Sequence, residues 1–150
     1  MQLHELKEQL VKKTLQPLYI FTGEEIAIMN IYIDKIAKIV GSKAKRVDSV
    51  GSIFGKLQNQ SFINKPSCYV IRDDKDYLAQ EKIWDSLNNG LVQGDNIIIL
   101  VYSNLDKRSK FYKHHADMVT EFQKLSPEVL AKYIKREIGL DINKAAKFAE

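Results

Sequence analysis

The sequence predicts a three-layer α/β domain built on a mostly parallel sheet of five strands. Two observations carry this. Leu18 to Phe21, Cys68 to Ile71 and Ile97 to Tyr102 are apolar at successive residues. Neighbours on a strand point to opposite faces, so both faces of these strands need cover, as in a parallel sheet between helices. Segments with helical spacing of apolar residues stand between the strands. Right-handed crossovers then place helices on both sides of the sheet.

Taken in order, residues 2 to 13 read as a helix, with Leu3, Leu6, Leu10 and Val11 recurring among Gln, Glu and Lys. Pro17 ends it, and Leu18 to Phe21 forms the first strand, bounded by Thr22-Gly23. A long helix is expected from Glu24 to Val40. Ile26, Met29, Ile33, Ile36 and Val40 define its apolar stripe, widened by Ile28 and Ile39. Two glutamates in its first turn suit the helix dipole, and Gly41-Ser42 stops it. Lys45 to Asp48 is a polar strand near a sheet edge. Helical turns over residues 52 to 60 lead to Phe62-Ile63, and Pro66 biases Lys65 towards an extended backbone. Cys68 to Ile71 is a covered strand. A helix from Leu78 to Asn89 presents Ile83, Trp84, Leu87 and Leu91. Ile97 to Tyr102 is the most apolar strand and reads as central. Ser109 to His115 is a short basic helix, and Met118 to Phe122 alternates as a final strand. Ser126-Pro127-Glu128 is a helix start, with Ser as N-cap and Pro at the first helical position. Val129, Leu130, Tyr133, Ile134 and Ile138 line one face, Gly139 closes the helix, and Asp141 caps another that carries Ala145, Ala146 and Phe148. A helix that short needs a tertiary partner, so the chain is expected to belong to a longer protein.

The 150 residues suffice for one domain with a real core, and 45% apolar with 28% charged residues is ordinary for a globular chain. No apolar run is long enough to cross a membrane, and the start has no basic-then-apolar secretion signal. The single cysteine, Cys68, lies in an apolar strand, which fits a reducing cytoplasm. A net charge of +4 is compatible with work near nucleic acid but does not require it.

Gln58-Asn59-Gln60-Ser61-Phe62-Ile63 is the candidate binding stretch. Its two bulky apolar neighbours cannot easily enter one core together. At least one is expected to face water at a helix tip, as a docking plug would. The alternative is that Phe62 caps the core and Ile63 begins the strand.

Catalytic chemistry is harder to find. A phosphate loop would sit after the first strand. It needs several glycines, a Lys and a Ser or Thr. Thr22-Gly23-Glu24-Glu25-Ile26 offers one glycine, no lysine and two carboxylates that would repel phosphate. Asp73-Asp74 reads as an exposed turn rather than a magnesium pair. His114-His115 are adjacent, not spaced to share a metal, and Cys68 reads as a buried core thiol. No metal or cofactor is expected. Lys107, Arg108, Lys110 and Lys113 form the densest basic patch, read first as a solvated face and second as a contact for DNA phosphates.

Three stretches, in this order and spacing, resemble one family. They are Leu18-Tyr19-Ile20-Phe21-Thr22-Gly23-Glu24-Glu25, Ser61-Phe62-Ile63-Asn64-Lys65 and Leu105-Asp106-Lys107-Arg108-Ser109-Lys110-Phe111-Tyr112-Lys113. The family is the delta subunit of the bacterial DNA polymerase III clamp loader. The resemblance implies an AAA+ fold: a RecA-like domain over residues 1–125 without a functional P-loop, and the beginning of a helical lid domain over 126–150. The family's oligomerising collar is absent from these residues. It implies a protein that is not itself an enzyme, that binds the sliding clamp (the beta subunit) and that opens its ring without hydrolysing ATP. Other loader subunits would join through the collar, and DNA would be met in the full assembly. Gln58, Ser61, Phe62 and Ile63 would contact the clamp. The family carries a Leu-Phe type pair where this chain has Phe-Ile. Two other readings stand beside this one: an AAA+-like nucleotide-binding protein with a degenerate loop, and a basic DNA-binding module.

Overall fold

The computed structural model describes residues 1–41, 43–53, 66–88 and 96–137. Its elements are α1 (Leu3–Lys12), β1 (Leu18–Gly23), α2 (Ile26–Val40), β2 (Ala44–Arg46), β3 (Cys68–Arg72), α3 (Lys75–Leu78), α4 (Glu81–Asn88), β4 (Ile97–Tyr102), α5 (Lys110–His114), a 3-10 turn (Ala116–Met118) and β5 (Val119–Phe122). Residues 50–53 and 127–137 are also helical. The strands form one sheet in the order β2-β3-β4-β1-β5, and every pairing is parallel.

The two-residue period of the strands sorts the core into two halves. Leu18, Ile20, Tyr69, Ile71, Ile98, Leu100 and Tyr102 face one side, under 50–53, α3, α4 and α5. Tyr19, Phe21, Cys68, Val70, Ile97, Ile99 and Val101 face the other, under α1, α2 and 127–137. The covered strands and the central place of β4 match the sequence expectation, as does the edge position of β2, whose Lys45 and Arg46 are exposed.

Three local expectations need correction. The long helix begins at Ile26, so neither glutamate lies in its first turn. The Glu25 N–H donates to the Phe122 carbonyl at 3.2 Å, and that pairing with β5 holds residue 25 outside the helix. Ile26 is then 58% exposed, and the buried stripe runs through Ile28, Met29, Tyr32, Ile33, Ile36 and Ala37. The expected single helix from Leu78 to Asn89 is two helices. The Tyr77 carbonyl accepts from the Gln80 amide at 3.1 Å and from the Trp84 indole at 2.9 Å, which closes α3 before α4 starts. Asp73-Asp74 is not simply an exposed turn. Asp74 is buried, N-caps α3 through Tyr77 N–H at 3.3 Å, and accepts from Val50 N–H at 2.8 Å.

Phe111 is the knot of the first half-core. Tyr77, Trp84 and Tyr102 meet its ring edge-on at 5.3 to 5.9 Å, and His115 lies over it at 4.2 Å. His115 Nδ1 reaches the Phe111 carbonyl at 2.8 Å, while the buried Nε2 has no partner among the described residues. Burial holds the imidazole below its ordinary pKa of 6.5; the Phe111 hydrogen bond opposes this, neighbouring His114 adds to it, and Asp85 opposes it. A base with a depressed folded-state pKa binds fewer protons folded than unfolded, so stability rises with pH across that window. Its contribution is complete above about 6.5 and is lost as pH falls below it. Urea midpoints for His115→Phe are expected to fall less between pH 6.5 and 5 than those of the wild type. Parallel pH profiles would show that His115 does not carry the effect.

Candidate functional site

The carboxyl ends of the strands are where ligands enter open α/β sheets. Here they border a cleft of about 500 Å³. Thr22, Gly23 and Glu24 line it from the end of β1, Ser103, Asn104 and Leu105 from the end of β4, and Glu121 to Lys124 from β5 and beyond.

The geometry of β1's end explains its single glycine. Gly23 has φ +123, and a Cβ there would lie 2.8 and 2.9 Å from the Phe122 carbonyl carbon and nitrogen, overlapping the oxygen as well. Gly23 therefore serves the close approach of β1 to β5. Its register partner is Phe122. Glu25 turns inward, is buried, and accepts the Leu125 amide at 3.1 Å. Only Glu24 of the two glutamates lines the cleft. The cation nearest in kind to a phosphate ligand, Lys107, is paired with Glu121 at 3.2 Å. The Glu121 hydrogen bond and charge raise its pKa above the ordinary range. Among the described residues the cleft thus has no row of backbone amides from a glycine-rich loop, and of its two lysines, Lys107 and Lys124, the first is already paired. The nucleotide-binding reading gains nothing from this geometry.

The acidic pair beside the cleft is structural. Asp73 adopts φ +52 and accepts from Ser103 N–H at 3.0 Å and Ser103 Oγ at 3.1 Å, tying the end of β3 to the end of β4. Asp takes this left-handed backbone more readily than most residues. Among the described residues, no three His, Cys, Asp or Glu side chains converge on a metal position. Cys68 is buried and its thiol is pushed up to about 12, first by burial and then by the charge of Asp34. It is an inert core thiol. His4 is exposed, and His114 faces Asp85 at 3.0 Å.

The basic stretch is brought together around α5. Ser109 caps that helix, accepting from Tyr112 N–H at 3.1 Å. Three of its four cations have carboxylate partners: Lys107 with Glu121, Arg108 with Asp106 at 3.5 Å and Lys110 with Glu81 at 3.2 Å. Such exposed pairs are weak and yield to salt. The partners cancel most of the patch's charge in the free protein. Glu81 and Glu121 were not apparent as its neighbours from sequence, because they come from other elements, whereas Asp106 adjoins Lys107 in the chain.

The candidate docking residues Gln58, Ser61, Phe62 and Ile63 lie outside the described residues. On either side of them, Val50 and Ile53 are buried in the first half-core and β3 begins at Cys68. No helix among the described residues is long and apolar enough to cross a membrane.

No protein-family model matches this sequence, and no curated protein matches it. Among solved structures, the fold is similar to that of a Bacillus subtilis DNA clamp loader delta protein, with a TM-score of 0.62 and 14% identity. The match covers 89% of this chain and 46% of that one, so this chain spans about half the length of its neighbour. The fold is therefore clamp-loader-like, an all-parallel RecA-type sheet with helices on both faces.

Gly23→Ala is expected to destabilise the protein by about 3 kcal/mol, because both the positive φ and the Phe122 contact must give. Urea denaturation reads this, and a loss below about 1 kcal/mol would contradict the close-approach role. Millimolar ATP with magnesium is expected to leave the melting temperature unchanged, whereas a saturable rise would restore the nucleotide reading.

Proposed function

We propose that this chain is the front part of a delta-type clamp-loader subunit, which binds a ring-shaped sliding clamp and opens it without hydrolysing ATP itself. The observation that carries this reading is the clamp-loader-like fold across 89% of the chain. The structural use of Gly23 and Glu25 supports it, since a subunit that does not hydrolyse nucleotide has no need to keep that turn free for phosphate. In this reading residues 1–125 are the RecA-like domain and 126–150 begin a helical lid domain. Other loader subunits are met through the family's helical collar.

Clamp contact falls to Gln58, Ser61, Phe62 and Ile63. Burying the two apolar side chains supplies roughly 1.5–3 kcal/mol each. Micromolar binding needs about 8 kcal/mol net, so flanking residues must add to the pair. Opening the ring further requires that the subunit bind the open clamp better than the closed one, because a ligand shifts only states it distinguishes.

A second contact, with DNA in the full assembly, is assigned to Lys107, Arg108, Lys110 and Lys113. The exposure of the first three, at 64%, 92% and 77% of their side chains, supports it, since phosphate could replace their present partners.

The test is binding to the purified sliding clamp. Phe62→Ala combined with Ile63→Ala is expected to weaken binding by about 100-fold or more, with circular dichroism and melting unchanged. Unaltered affinity, or a variant that no longer folds, would sink the docking assignment. For DNA, changing the four basic residues to Gln is expected to flatten the salt dependence of binding by the loader. An unchanged slope would remove that patch from the interface.

A further inference from the structure

The helix at 127–137 differs from every other cover of the sheet in how it is held. None of its residues is buried. Leu130, Tyr133 and Ile134 rest partly buried against the second half-core, and Val129, expected on the same face, is 50% exposed. By comparison, α2 buries six side chains on the same side of the sheet.

A polar cluster adds what the apolar seam lacks. The Tyr133 and Tyr32 hydroxyls share a hydrogen bond of 2.6 Å. The Glu137 carboxylate reaches Lys35 at 2.5 Å, Lys7 at 4.0 Å and Arg136 at 3.8 Å. Lys7 and Arg136 also lie over the Tyr133 ring, at 5.2 and 5.3 Å, and Lys35 lies over Tyr32 at 5.4 Å. One carboxylate, two phenols and three cations from α1, α2 and the helix itself thus form a single network. The Glu137 side chain is 17% exposed, so water screens it less than the surface pairs around α5. Burial acts to raise its pKa, but the Lys35 hydrogen bond and the charges of Lys35, Lys7 and Arg136 together lower it.

We propose that this network is a releasable clasp, which fixes the helix at 127–137 on the α1–α2 face and lets go when its charges are screened or removed. A helix this short is marginal once undocked, so release and unravelling are one event. Regions held by few buried contacts open at low free-energy cost, independently of the core.

Amide hydrogen exchange on the whole chain tests this. In the unmodified protein, raising salt from about 50 to about 500 mM is expected to speed exchange in 127–137 several-fold and leave β4 unchanged. Glu137→Gln is expected to speed 127–137 about tenfold and abolish its salt response. Lys35→Met, which keeps the bulk of that side chain and removes its charge, is expected to speed 127–137 and weaken its salt response, which a purely steric role would not do. Exchange in 127–137 that ignores salt in the unmodified chain would overturn the proposal. So would exchange there that rises in step with β4, since the helix would then be part of one cooperative core. The salt titration needs no variant, so a Glu137 variant that misfolds does not shield the idea.

Discussion

The carbonyl of Phe122 sits where a side chain on residue 23 would have to go. That close approach decides much of the molecule. It lets β5 pair with β1 down to its last residue. It places the Glu25 amide against Phe122 and the Glu25 carboxylate against Leu125, which delays the start of α2. It also fixes the backbone of the turn where a nucleotide-binding sheet would present its phosphate loop. One backbone contact thus stabilises the sheet edge, displaces two glutamates from a helix and shapes the cleft.

Much of the fold could be read from the sequence because it is dominated by burial. Strands covered on both faces show as unbroken apolar runs, and β1, β3 and β4 are all of this kind. The central place of β4 and the edge place of β2 followed from how apolar each run is, whereas the edge place of β5 did not. In two of the three misreadings a long-range hydrogen bond overrode a local pattern, Glu25 with Phe122 and Asp74 with Val50. Trp84 reaches back to Tyr77 and divides a helix. Asp74, which looks solvated in sequence, is committed to Val50 and Tyr77. Val50, 24 residues from Asp74, is out of reach of a periodicity argument.

The candidate site was legible only in part. That Gly23 stands alone, without lysine, was visible, but its reason required Phe122. The basic run at 107–113 was visible as well, whereas two of its neutralising carboxylates come from α4 and β5. The pairing of Tyr32 and Lys35 with Tyr133 and Glu137 crosses about a hundred residues. The only sequence trace is spacing: each pair sits three or four apart on its own helix, and so on one face.

The strand order also constrains how the chain reaches this state. β1 lies between β4 and β5, so residues 18–23 have no strand to pair with until residues 97–102 exist. During synthesis a largely apolar strand must wait for some eighty residues to follow it, a delay set by topology. Non-local parallel pairing of this kind is slow and leaves sticky segments unpaired. Nascent chains that stall before β4 are therefore natural clients for chaperones.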